Sequence, residues 1–83
     1  MKPVTIYTKA TCPYCAAALS LLQGKNIDYT QIAVDNNPEK RAEMEARSQR
    51  KTVPQIFIGE HHVGGCDDLM ALEDAGKLDA LLQ

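Results

Sequence analysis

Cys12-Pro13-Tyr14-Cys15 follows the β-branched and aromatic run Val4-Thr5-Ile6-Tyr7-Thr8 and opens a stretch with helical spacing. Two cysteines three apart are a poor staple, because the ring they close is worth only about 2 kcal/mol in the chain-entropy account. What the spacing supplies is an attacking thiol with a second thiol in reach to finish an exchange. Pro13 suits the first helical position, where no amide donor is needed. A helix N-terminus favours a thiolate. The chain is therefore expected to run strand, redox turn, helix. Cys12 at the helix start attacks, and Cys15, one turn in and nearer the apolar face, resolves. The helix dipole alone, about 0.3–1 kcal/mol at a surface terminus, is too weak to hold a thiolate. Amide donors of Tyr14 and Cys15, with charge from Lys9, are expected to supply the rest.

Around this motif the remaining elements are readable by period. Cys15, Ala18, Leu19 and Leu22 follow the i, i+3, i+4, i+7 template, and Gly24 is expected to end the helix as a left-handed cap. Ile27 to Val34 is a second strand, parallel to the first through a right-handed crossover. Asn37-Pro38-Glu39 starts a second helix. That helix lacks β-branched residues from Glu39 to Lys51, pairs Glu43 with Arg47 and buries little. Gln55 to Ile58 and His61 to Val63 form a hairpin turning at Gly59-Glu60, with Gly59 at positive φ. Gly64-Gly65 ends it. Asp67 or Cys66 caps a third helix, Asp68 to Ala75, which buries Leu69 and Leu72 and stops at Gly76; Lys77 to Leu82 adds a last turn or two. The order β-α-β-α-β-β-α, with a redox pair after the first strand, is a thioredoxin-type arrangement: an α/β fold with a four-stranded mixed sheet flanked by helices.

The 83 residues suffice for one domain with a modest core. No apolar run is long enough to span a membrane. Met1-Lys2-Pro3 lacks the charged and apolar regions of a secretory signal. Three cysteines, an odd number, fit a reducing cytoplasm with one exchangeable dithiol better than a disulfide framework. A net charge of −2 argues against nucleic acid as a partner. The charge is uneven: residues 1–51 hold eight Lys or Arg against five Asp or Glu, residues 52–83 one against six. Arg47, Arg50 and Lys51 cluster before Thr52-Val53-Pro54, either as a solvated helix end or as a seat for a small anion.

Two further constellations stand out. Proline at the head of a strand is unusual, and a cis Val53-Pro54 bond would turn the Val53 main chain outward to pair an extended peptide-like ligand. A trans proline on an edge strand is the competing reading. In Gly64-Gly65-Cys66-Asp67-Asp68, glycines let a ligand approach and free amides at a helix start suit a carboxylate, with Asp67 beside an ammonium; plain turn-and-cap chemistry is the alternative. Cys12 and Cys15 could also be half a zinc site completed by Cys66, His61 or His62. No second paired element exists, so no metal is expected. Cys66 is then a small, partly buried residue, and His61-His62 an exposed hairpin pair.

Taken together, Tyr7-Thr8-Lys9, Thr11-Cys12-Pro13-Tyr14-Cys15, Thr52-Val53-Pro54-Gln55-Ile56-Phe57-Ile58 and Gly64-Gly65-Cys66-Asp67-Asp68 closely resemble the glutaredoxin family, particularly its small bacterial dithiol members. The resemblance implies a glutathione-dependent thiol–disulfide oxidoreductase with glutathione as reducing co-substrate and no tightly bound cofactor. It also implies clients that are disulfide-containing or glutathionylated proteins, ribonucleotide reductase among the candidates. A monomer is expected. By analogy, Lys9 and Arg41 hold the glycine carboxylate of glutathione, Tyr14 lines the groove, and Thr52, Val53 and Pro54 meet its cysteinyl part. Gly65, Cys66 and Asp67 receive the γ-glutamyl end. One departure is Ala16-Ala17-Ala18, where members of the family often carry a basic residue; a changed rate is expected from it.

Rival functions are a thioredoxin-reductase-dependent redoxin and an iron–sulfur cluster carrier. Thioredoxins carry Trp before the first cysteine, whereas this chain has Thr11 there and no Trp. Cluster carriers of the family usually have one active-site cysteine followed by Gly-Phe-Ser, and here Pro follows the first of two.

Overall fold

The computed structural model describes residues 2–83; Met1 lies outside the described residues. In chain order the elements are β1 (Val4–Thr8), α1 (Pro13–Gly24), β2 (Tyr29–Ala33), α2 (Pro38–Ser48), β3 (Gln55–Ile58), β4 (His61–Gly64), α3 (Cys66–Asp74) and α4 (Leu78–Leu82). The sheet runs β2-β1-β3-β4. β1 pairs with β2 in parallel, while β1–β3 and β3–β4 are antiparallel. This is the thioredoxin fold, in the order read from the sequence.

The two central strands are buried on both faces, and their alternation divides the core. Val4 and Ile6 of β1, with Ile56 and Ile58 of β3, meet Ala18 and Leu22 of α1, Leu69 of α3, and Leu78 and Leu82 of α4. The opposite face carries Tyr7 and Phe57, packed with Val34 and with Met44 of α2. Met44 is fully buried, so α2 is anchored more firmly than its polar sequence suggests.

Several boundaries differ from the sequence reading. β2 is shorter than 27–34, because the Ile27 amide bonds back to the Leu22 carbonyl and closes the end of α1. Ile27 and Val34 are both buried but lie outside the strand. Gly24 is the last residue of α1 and not its left-handed cap. Asn26 takes the positive φ, at 56°, and Asn tolerates that region. α3 starts at Cys66 with Gly65 as its cap, because the Asp68 carboxylate accepts the Gly65 amide at 3.0 Å. Glu43 and Arg47 do not pair with each other. Both converge on the Tyr7 hydroxyl, while Arg41 takes Glu45 at 3.1 Å and Lys40 takes Glu43 at 3.3 Å. The hairpin turn is as expected, with Gly59 at φ 58°.

Candidate active site and groove

Cys12 is the N-cap of α1, and its sulfur does what a serine or aspartate oxygen does at most helix starts. The Cys15 amide donates to Cys12 Sγ at 3.1 Å. Of the two amides expected to serve the sulfur, Cys15 does and Tyr14 forms no such bond. A donor aimed at sulfur stabilises the thiolate form. Cys12 is partly exposed and Cys15 is buried, both as free thiols. Burial, reinforced by the hydrogen bond with Cys12, pushes the Cys15 thiol up to about 12. The pair is therefore asymmetric: one reachable sulfur with a donor on it, and one enclosed sulfur that keeps its proton.

The sequence placed Val53 far from this turn, 41 residues from Cys12, yet the Val53 carbonyl lies 3.9 Å from Cys12 Sγ. The Val53-Pro54 peptide is cis, and Pro54 is buried at the head of the central strand β3, not on an edge. From there an open groove of about 220 Å³ runs to the start of α3, lined by Tyr14, Thr52, Val53, Pro54, Gly65, Cys66 and Asp67 together with Arg50 and Asp68. Tyr14 stands 65% exposed at its rim. Cys66 is buried, and burial followed by the charge of Asp67 pushes its thiol up. In the first turn of α3 the amides of Cys66 and Asp67 have no intrahelical acceptor.

Seven of the anticipated groove residues thus share one surface. Lys9 does not line it. With Ala10, Ala16, Gln31 and Asp35 it lines a second cavity, of about 380 Å³, that reaches Cys12 and Cys15 from the other side. Of the three alanines replacing a basic residue, Ala16 faces this cavity and Ala18 belongs to the core. Arg41 is engaged elsewhere, donating to Glu45 and to the Lys51 carbonyl at 3.0 Å.

Arg50 and Asp68 are groove residues that the sequence reading did not assign. Their ion pair, at 3.0 Å, closes the side of the groove. Asp68 is held below the usual carboxylate range, first by the Gly65 amide and then by Arg50. The cluster Arg47-Arg50-Lys51 was the available signal, but it splits: Arg47 turns to the opposite sheet face and stacks on Phe57 at 4.1 Å. No three His, Cys, Asp or Glu side chains converge as metal ligands among the described residues. His61 and His62 stay on the hairpin. His62 is not exposed as expected but half-buried, bonded to Gln55 at 2.7 Å.

Comparison with known proteins settles the family. Residues 4–63 match the Glutaredoxin protein family. The chain belongs to the glutaredoxin family. A glutaredoxin of Pseudomonas aeruginosa PAO1 is 63% identical over 82 residues, 99% of this chain and 98% of that one. Glutaredoxin 3 of Escherichia coli K12 is 54% identical over the full length of both. A buckwheat glutaredoxin solved as a glutathione complex superposes with a TM-score of 0.88 at 31% identity, covering 98% of this chain and 76% of that one. This glutaredoxin is a thiol–disulfide oxidoreductase, with Cys12 and Cys15 as its active-site pair. Among the described residues, no helix is long and apolar enough to cross a membrane.

Proposed function

We propose that glutathione is the reductant of this glutaredoxin and that the groove from Tyr14 to Asp67 is its seat. The observation that carries the reading is the placement of the Val53 main chain 3.9 Å from Cys12 Sγ, in a wall that continues to the free amides of α3. A γ-glutamyl carboxylate suits those amides, with Asp67 beside its ammonium. The cysteinyl part pairs with Val53, flanked by Thr52 and Pro54, and its sulfur then meets Cys12. Lys9 supplies charge for the glycyl carboxylate from beyond Cys12. Arg41 acts behind the wall, holding the Lys51 carbonyl. The glutathione complex of the buckwheat relative supports the same reading.

The chemistry follows from the asymmetry of the pair. The Cys12 thiolate attacks the glutathione sulfur of a glutathionylated client. The old S–S bond breaks, a Cys12–glutathione disulfide forms, and the client leaves as a thiolate that takes a proton from water. A second glutathione thiolate attacks the bound glutathione sulfur, freeing Cys12 and releasing glutathione disulfide. With a client disulfide, Cys12 forms the mixed disulfide with the client. Cys15 then gives its proton to the leaving client sulfur and attacks Cys12. Two glutathiones reduce the resulting Cys12–Cys15 disulfide. Clients are disulfide-containing or glutathionylated proteins.

The test is reduction of a glutathionylated peptide by glutathione and its reductase. Cys12→Ser abolishes turnover and Cys15→Ser retains it. A wild type inactive there but reduced by thioredoxin reductase would overturn the glutathione reading.

A further inference from the structure

The Thr52-Val53 wall is held by two side chains that do not line the groove. Gln55, first residue of β3, is fully buried on the sheet face that carries Phe57 and Met44. Its amide nitrogen donates to the Thr52 carbonyl at 3.0 Å and to the Thr52 hydroxyl at 3.1 Å. Its carbonyl oxygen lies 2.7 Å from His62 Nε2. A buried primary amide is tolerated only when its polar atoms are paired, and here all of them are. Because Gln55 Oε1 can only accept, His62 Nε2 carries the hydrogen and donates.

His62 is itself fixed. Its ring lies against Phe57, its cross-strand partner, with centroids 4.9 Å apart, and Arg47 covers Phe57 as well. The preceding residues are pinned differently: Ser48 bonds both backbone groups of Arg50, and Arg41 holds the Lys51 carbonyl. Gln55 is the side chain that reaches Thr52.

We propose that Gln55 and His62 are positioning residues for the reaction: His62 holds Gln55, and Gln55 holds Thr52 so that the Thr52-Val53 wall fits the peptide part of glutathione. The inference rests on the glutathione reading above. It predicts selectivity, because a thiol without a peptide part does not use the wall.

The experiment uses a Cys15→Ser background, in which Cys12 forms a stable mixed disulfide. Cys12 thiolate attacks glutathione disulfide or hydroxyethyl disulfide; one S–S bond breaks, a protein mixed disulfide forms, and one small thiolate leaves. Both equilibrium constants are measured by mass spectrometry after acid quenching. In the Cys15→Ser parent, glutathione is preferred over mercaptoethanol. Gln55→Leu and His62→Leu cut that preference about 3- to 10-fold, the size of one or two hydrogen bonds, leaving the mercaptoethanol constant unchanged. His62→Gln, whose amide nitrogen can stand where Nε2 stands, restores the preference. Should Gln55→Leu not fold, the comparison of His62→Leu with His62→Gln carries the same test. An undiminished preference in the leucine variants, or equal losses for both thiols, overturns the inference alone. No preference for glutathione in the parent overturns the glutathione reading and the inference with it.

Discussion

Tyr7→Phe tests how β1 is tied to α2. The Tyr7 hydroxyl donates to the Glu43 carboxylate and accepts from Arg47 Nη1 at 2.9 Å. Phenylalanine keeps the buried ring and its edge contact with Phe57, at 5.8 Å between centroids, and removes the oxygen alone. Hydrogen bonds to charged partners are worth about 1.5–3 kcal/mol each. The Glu43 side chain, however, is 38% exposed and keeps Lys40 as a partner, and Arg47 also reaches water. Resolvation cuts the combined loss to about 1–2 kcal/mol. In a domain of this size that lowers Tm by about 4–16 °C. The pH dependence is the sharper readout. The Tyr7 hydroxyl is the leading cause holding Glu43 below its ordinary pKa. A carboxylate depressed on folding contributes stability above its unfolded pKa and loses it as pH falls through the folded one. The gap between wild type and variant is therefore widest at neutral pH and narrows below about pH 4. Thermal melts of the reduced proteins at neutral pH and near pH ~3 measure both. A neutral-pH gap under about 1 °C, or one equally wide in acid, refutes the assignment.

Three other predictions concern the site. In Cys12→Ser, Cys15 stays protonated through neutral pH, since burial, the leading cause of its rise to about 12, survives the change; a thiolate absorbance step near the ordinary thiol value of about 8.5 would contradict this. The same shift sets a stability window. An acid whose pKa rises on folding costs stability once pH passes its unfolded value, so the reduced protein weakens from about pH 8.5 towards about 12, seen as a falling denaturant midpoint. At Gly64, φ is 118° and a Cβ would collide with the Asp68 carboxylate. Gly64→Ala is therefore expected to destabilise by more than about 1 kcal/mol and to separate Asp68 from Arg50, and an unchanged melt would show that this close approach is unimportant.

How far the sequence could be read depended on whether a residue's partners were local. The Cys12–Cys15 turn, the helix start at Asn37-Pro38-Glu39 and Gly59 in the hairpin are all decided within a few residues, and all appear as expected. Seven groove residues from three separate segments were also legible, since each segment carries its own recognisable chemistry. What failed was any contest between a local pairing and a distant demand. Glu43 and Arg47 stand at the favoured i, i+4 spacing, but such a pair is worth only about 0.2–0.5 kcal/mol. A buried tyrosine hydroxyl left unpaired costs about 1–3 kcal/mol. Tyr7, 36 and 40 residues away, therefore takes both. His62 follows the same logic. Next to His61 it looks like one of a solvated pair, but Gln55 is buried with an acceptor oxygen to satisfy, and the register opposite Phe57 delivers His62 to it. The larger demand wins each time. Glu43 and Arg47, drawn to Tyr7, and His62, drawn to Gln55, all lie outside the groove lining, so their partners are set by burial elsewhere in the fold and not by the groove motifs.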